Sequence, residues 1–153
     1  MKNDWSNKEA KQFIIKYKKL GFSKDVALRV YTSRLLGKNK KLVLHGGGNT
    51  SAKTRIKDID GKKYEVLCVK GSGWDMADIE PEGLPAVKLE PLLAMKKKKY
   101  LSDEDMVSFQ KRNLINIKSP NPSVEKFLHA FLPFKYVDHT HSDAILNLTN
   151  RPG

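Results

Sequence analysis

A single cysteine, Cys68, stands in the 153 residues; it excludes an internal disulfide and leads us to expect a reducing, cytoplasmic setting. Long hydrophobic runs are also missing. Phe13, Ile14 and Ile15 lie near the start, but lysines flank them on both sides, so neither a signal-peptide core nor a membrane span can be read there. Acidic residues are scarce, 17 Asp plus Glu against 29 Lys plus Arg, and the formal net charge is +12. Such an excess suits nucleic acid or an anionic substrate. No zinc-finger spacing or aromatic RNA-binding pattern accompanies it, so the lysine clusters at 16–19, 38–41 and 96–99 are read as solvated faces and no nucleic-acid partner is expected. What is present, 39% hydrophobic residues with 10 Gly and 7 Pro, suffices for one domain with a real core.

Ser6 and Glu9 form a capping box that predicts a helix from Asn7, with Phe13, Ile14, Tyr17 and Leu20 as its apolar stripe and Gly21 as its end. A second helix is expected from Ser23 through Val26, Val30 and Leu35, closed by Gly37 in a left-handed conformation. Residues 41–45 read as a strand running into Gly46-Gly47-Gly48-Asn49-Thr50-Ser51. Three glycines admit close approach of backbone N–H groups to a ligand, and the three polar residues after them add donors, so the stretch suits an anion cradle as well as a plain turn. It is neither a P-loop nor a dinucleotide fingerprint. A hairpin follows, 54–59 turning at Asp60-Gly61 and returning as 64–70. It ends in a second glycine and hydroxyl loop, Gly71-Ser72-Gly73. A short strand is expected at 86–89, a helical start after Pro91, and a helix capped by Ser102 through Lys111. Asn121 and Pro122 mark the last clear helix, whose first turn would carry Ser123 and Glu125. After it, 147–153 reads as a loop without a closing helix, as in a fragment.

The most informative stretch is Tyr136-Val137-Asp138-His139-Thr140-His141. Residues i and i+2 of a strand share a face, so His139 and His141 would project side by side. Two neutral imidazoles there suit a divalent transition ion, zinc first. Solvent-facing or core histidines fit the spacing equally. Glu125 lies fourteen residues earlier, far enough for a helix, a turn and a returning strand to bring its carboxylate near the rings; a dipole-favoured surface acid is the alternative. His129 is read as packed, and His45 as ambiguous.

Taken together, Gly46 to Ser51, Val69-Lys70-Gly71-Ser72-Gly73-Trp74-Asp75, Pro122-Ser123-Val124-Glu125 and Asp138 to Asp143 resemble the N-terminal part of the class II aldolase/adducin family. The nearest likeness is the aldolase half of bifunctional rhamnulose-1-phosphate aldolase/alcohol dehydrogenases. The resemblance implies a three-layer αβα fold with a mostly antiparallel central sheet flanked by helices. Residues 1–37 would form N-terminal helices and 41–153 the sheet and site of a C-terminally truncated domain. It also implies zinc-dependent cleavage of a ketose 1-phosphate, with rhamnulose 1-phosphate first, into dihydroxyacetone phosphate and an aldehyde. By position, His139 and His141 match zinc ligands and Glu125 the catalytic acid/base. Gly48, Asn49, Gly71, Ser72 and Ser123 match the phosphate-binding positions.

The family's third ligand histidine has no counterpart here, so the chain alone is expected to bind zinc weakly and be inactive. NAD would belong to a missing dehydrogenase domain, and a homotetramer is the family's common state. Two other readings stay open. One is a metallo-β-lactamase-like hydrolase, although Ala144 stands where its motif needs histidine; the other is a non-catalytic adducin-type module, against which both histidines and Glu125 argue.

Overall fold

The structure, a computed structural model, describes residues 3–44 and 46–150. Strands β1 (Asn49–Lys57), β2 (Lys63–Val69), β3 (Ala86–Lys88) and β4 (Tyr136–His139) form an antiparallel sheet in the order β3-β2-β1-β4. Helices α1 (Asn7–Lys19) and α2 (Lys24–Gly37) precede it; α3 (Leu89–Ala94), α4 (Asp103–Asn113) and α5 (Lys126–Phe131) lie between β3 and β4, and α6 (Asp143–Thr149) follows. Among the described residues, no helix is long and apolar enough to cross a membrane.

Strand β2 explains the layering. Val66, Leu67, Cys68 and Val69 are all buried, so both faces of the strand are covered. Alternate side chains go opposite ways: Val66 and Cys68 pack with Tyr17, Val26, Ala27 and Val30 of α1 and α2. Leu67 and Val69 pack with Leu89 and Leu92 of α3, Leu114, and Ala130 of α5. This is the αβα sandwich expected from the sequence. Burial also pushes the Cys68 thiol up to about 12, which leaves it an inert core residue.

Several local expectations are corrected. Ser6 caps α1 by accepting from Glu9 N–H, but Glu9 does not complete the box: Ser6 N–H donates to the Tyr31 hydroxyl at 2.8 Å, and that hydroxyl donates to Glu9. Residues 41–44 are turn and coil instead of strand, because Leu42 and Val43 N–H groups both return to the Asn39 carbonyl; His45 lies outside the described residues. Strand β1 instead starts at Asn49, drawing half of the expected loop into the sheet. Helix α3 begins at Leu89, ahead of Pro91. Helix α6 takes in Asn147, Leu148 and Thr149 of the expected C-terminal loop, burying none of its side chains.

Gly37 is the last residue of α2 and not a left-handed cap. It is needed for space, since a Cβ there would lie 2.3 Å from Ala77 N. Backbone cannot yield as a flexible side chain would, so Gly37→Ala is expected to destabilise the fold by about 3 kcal/mol, the upper end of overpacking costs. A urea melt would check it; a loss like that of an exposed helix substitution would show that the segment around Met76 moves freely.

Candidate functional site

The register of the sheet assembles the site. Asn49 pairs with His139 and Thr50 with Asp138 across β1 and β4, and directly opposed residues share a face. Asn49, Ser51 and Lys53 therefore face α5 together with His139. Thr50, Ala52 and Thr54 face α2 together with Asp138. The contacts follow this division. On the α2 side Thr50 bonds Ser33 and Asp138 pairs with the buried Arg29 at 2.7 Å. On the α5 side the Asn49 amide donates to Glu125 Oε2 at 3.0 Å, Ser51 Oγ meets His129 Nδ1 at 2.8 Å, and the Lys53 ammonium donates to the carbonyls of His129, Leu132 and Phe134.

Lys53 thus holds the C-terminal end of α5, and Glu125 sits at its other end as the residue before the first turn. The expected helix start at Pro122 is displaced because residues 121–123 are used as a connection to the sheet. Pro122 bridges to Gly71, Ser123 N–H donates to the Lys70 carbonyl, and Ser123 Oγ accepts from Glu125 N–H. Helix α5 has six residues, and Glu125 is its N-cap.

Glu125 Oε1 lies 2.9 Å from His139 Nδ1, at ion-pair distance, although this buried nitrogen makes no aligned hydrogen bond. The His139 and His141 rings stand 4.8 Å apart between centroids, inclined by 62°. His139 closes β4 and His141 lies just beyond it, its N–H donating to the Leu42 carbonyl. Burial pushes the Glu125 carboxyl up, but the Asn49 amide and the His139 imidazole more than offset this. It consequently titrates below its ordinary value and is a carboxylate at neutral pH. His129 is fully buried, its imidazole pushed down to about 4 chiefly by burial, and its Nε2 has no partner. It is packed, as expected, yet one nitrogen of it lies within 4.8 Å of ligand atoms of Glu125 and His139.

Imidazole nitrogens and a carboxylate oxygen are the donors that a borderline ion such as zinc takes. The unaligned, buried His139 Nδ1 is the kind of polar atom that a cation would satisfy. The residues present therefore fit a divalent metal, with Glu125, His129 and His139 grouped tightly and His141 beside them.

Gly48, Gly71, Ser72, Ser123, Glu125 and His141 line one cleft of about 450 Å3. Gly48 has φ +68, and a Cβ there would lie 2.8 Å from the His139 carbonyl, so the glycine lets the loop press against the histidine strand. Asn49 does not line the cleft; it is buried behind Glu125 and spends its amide there. Thr50 and Ser51 are likewise buried and bonded internally, so the expectation that they add donors to an anion cradle is corrected. A larger cavity of about 620 Å3 lies on the α2 side, lined by Trp5, Leu28, Leu35 and Tyr136 among others, and holds none of the candidate residues.

Sequence reasoning missed Lys70 and Gln110 in the cleft wall. Gln110 fixes the 121–123 connection by donating to the Pro122 carbonyl at 3.1 Å. Only the position of Lys70 at a strand end, beside Gly71 and Ser72, could have signalled it.

Residues 27–152 match the Class II Aldolase and Adducin N-terminal domain. The chain is similar, at 41% identity and a TM-score of 0.84 over its whole length, to the N-terminal class II aldolase domain of a conserved protein from Thermoplasma acidophilum, of which it covers 66%. It is 40% identical over 148 residues, 97% of its length, to "Uncharacterized oxidoreductase YuxG" of Bacillus subtilis, and spans 20% of that protein. With this match along most of its length, the chain belongs to the class II aldolase and adducin family.

Proposed function

We propose that this chain carries the metal and phosphate sites of an aldolase that cleaves a ketose 1-phosphate, rhamnulose 1-phosphate being the first candidate, into dihydroxyacetone phosphate and an aldehyde. The observation that carries the reading is the Glu125 carboxylate at the cleft wall, 2.9 Å from His139 with His141 alongside. Retro-aldol cleavage requires removal of a hydroxyl proton and later return of a proton to carbon. Glu125, ionised and oriented by Asn49, would do both. His139 and His141 would hold zinc, whose Lewis acidity would stabilise the enediolate that cleavage leaves. Ser72, Ser123 and the glycine loops would bind the phosphate, using contacts remote from the reacting carbons to fix their orientation.

The oxidoreductase name of the Bacillus relative describes a protein of which this chain covers a fifth. A nicotinamide cofactor, if one serves a full-length relative, would sit outside this domain. An adducin-type module without chemistry is disfavoured by the assembled donor set. We also expect a cytoplasmic homo-oligomer, with neither nucleic acid nor membrane as partner.

The test uses the longest natural polypeptide that contains this domain. It is expected to release dihydroxyacetone phosphate from rhamnulose 1-phosphate, to lose that activity on exhaustive chelation, and to regain it with zinc. Full activity after the metal has been stripped, verified by elemental analysis, would overturn the mechanism.

A further inference from the structure

The motif from Val69 to Asp75 helps to carry the family likeness, yet the proposed chemistry uses only Gly71 and Ser72 of it. Trp74 is a packing residue: it joins the cluster around α1, α2 and β2, and a Cβ on Gly83 would lie 2.7 Å from its ring. Beyond this anchor the chain turns, and Asp75 Oδ1 accepts from Ala77 N–H at 3.0 Å, an Asx turn. The second oxygen reaches across the fold. Asp75 Oδ2 accepts from Gly46 N–H at 3.3 Å, and the carbonyl of the same glycine accepts from Lys70 Nζ at 3.1 Å. Lys70 is 6% exposed, and its ammonium feels the Asp75 and Glu125 carboxylates, which offset part of the cost of burying it. Gly46 is therefore gripped from both ends, its N–H by an anion and its carbonyl by a cation, and hydrogen bonds to charged groups are the strong ones. Gly46 opens the Gly46-Gly47-Gly48 wall of the cleft. It has φ +73, and a Cβ there would meet nothing within 4 Å, so bonds and not packing hold it. Further along the wall, a Cβ on Gly47 would lie 3.5 Å from His141 Nδ1 and one on Gly48 2.8 Å from the His139 carbonyl. Three consecutive glycines have little conformational preference of their own, so the course of this wall past both histidines depends on what fixes its first residue. Asp75 is not among the described residues that line the cleft.

We infer that Asp75 is a positioning residue: by holding Gly46 it sets the glycine wall of the cleft, and with it the fit of a substrate beside His139 and His141. The inference rests on the proposed aldolase reading, and its test separates the two. Asp75→Asn is the selective variant, because the amide oxygen can keep Ala77 N–H while the NH2 group then faces Gly46 N–H, donor against donor. Hydrogen exchange is read in the isotopically labelled chain. The Gly46 amide is expected to exchange about tenfold or more slowly than an unstructured glycine, and to lose that protection in Asp75→Asn, the size of one hydrogen bond to a charged group. The urea midpoint should stay near that of the unaltered chain. A Gly46 amide that already exchanges at the unstructured rate in the unaltered chain overturns the inference, whether or not the variant folds. Equal Gly46 exchange in the two proteins overturns it as well, and so does a loss of protection spread evenly over all amides, which would make Asp75 a plain structural residue.

In a turnover assay Asp75→Asn should raise KM for the ketose 1-phosphate about fivefold or more, with kcat within about threefold and metal content unchanged, as expected when binding contacts and not the reacting groups are displaced. Unchanged KM in an active aldolase defeats the Asp75 role alone. Asp75-dependent protection of Gly46 in a protein that cleaves no ketose phosphate defeats the aldolase reading alone.

Discussion

Glu125→Gln in the metal-loaded parent protein is expected to lower retro-aldol turnover about a hundredfold or more, the scale of losing a general acid/base, while metal content stays near wild type. The amide keeps the shape of the side chain and a carbonyl oxygen able to accept from Asn49, whose amide lies 3.0 Å from the present carboxylate. The rings of His139 and His141 therefore keep their places, and what disappears is the group that takes and returns protons. Steady-state rates with parallel metal analysis would check this. Turnover within threefold of wild type removes Glu125 from its role, whereas a parallel loss of metal would make it a ligand first and a base second.

Arg29→Met should cost about 3 kcal/mol of stability. Arg29 is 1% exposed. Its Nη1 donates to the carbonyls of Ser51 and Val137 at 3.3 and 3.5 Å, its Nη2 bonds Thr32 and reaches Asp138 at 2.7 Å, and so it joins α2 to both β1 and β4. Methionine fills much of the volume but leaves buried acceptors without a donor, each costing about 1–3 kcal/mol. Asp138→Asn breaks the same ion pair from its solvent side, where the carboxylate is 46% exposed and water can take over; it should cost about 1 kcal/mol or less. Urea unfolding of both variants decides the matter, and equal losses would mean that the carbonyl bonds of Arg29 contribute nothing.

The capped helices at Asn7, Lys24 and Asp103 were legible because each begins with a serine whose oxygen accepts an N–H two or three residues into the helix, a signal that local chemistry alone produces. The hairpin at Gly61 was legible for the same reason, with φ +83 there. Residues 41–44 misled because a local turn closed by the Asn39 carbonyl outcompetes their apolar strand pattern, and 121–125 because their fate depends on partners remote in sequence. Leu42, Val43 and Leu44 look like a strand, but the Asn39 carbonyl takes the first two N–H groups. Pro122 and Ser123 look like a helix start, but β2's end at Lys70 and Gly71 claims their backbone.

By itself the sequence determined the helix caps, the two glycine and hydroxyl loops, the paired histidines and, through the combination of motifs, the family. Tertiary structure decided that Asn49 serves Glu125, that Ser51 serves His129, and that Lys70 enters the cleft. Those outcomes turn on two registers, Asn49 opposite His139 and Ser51 opposite Val69. A one-residue shift of either would turn the slipped strand's side chains to the opposite face, and no local pattern encodes it.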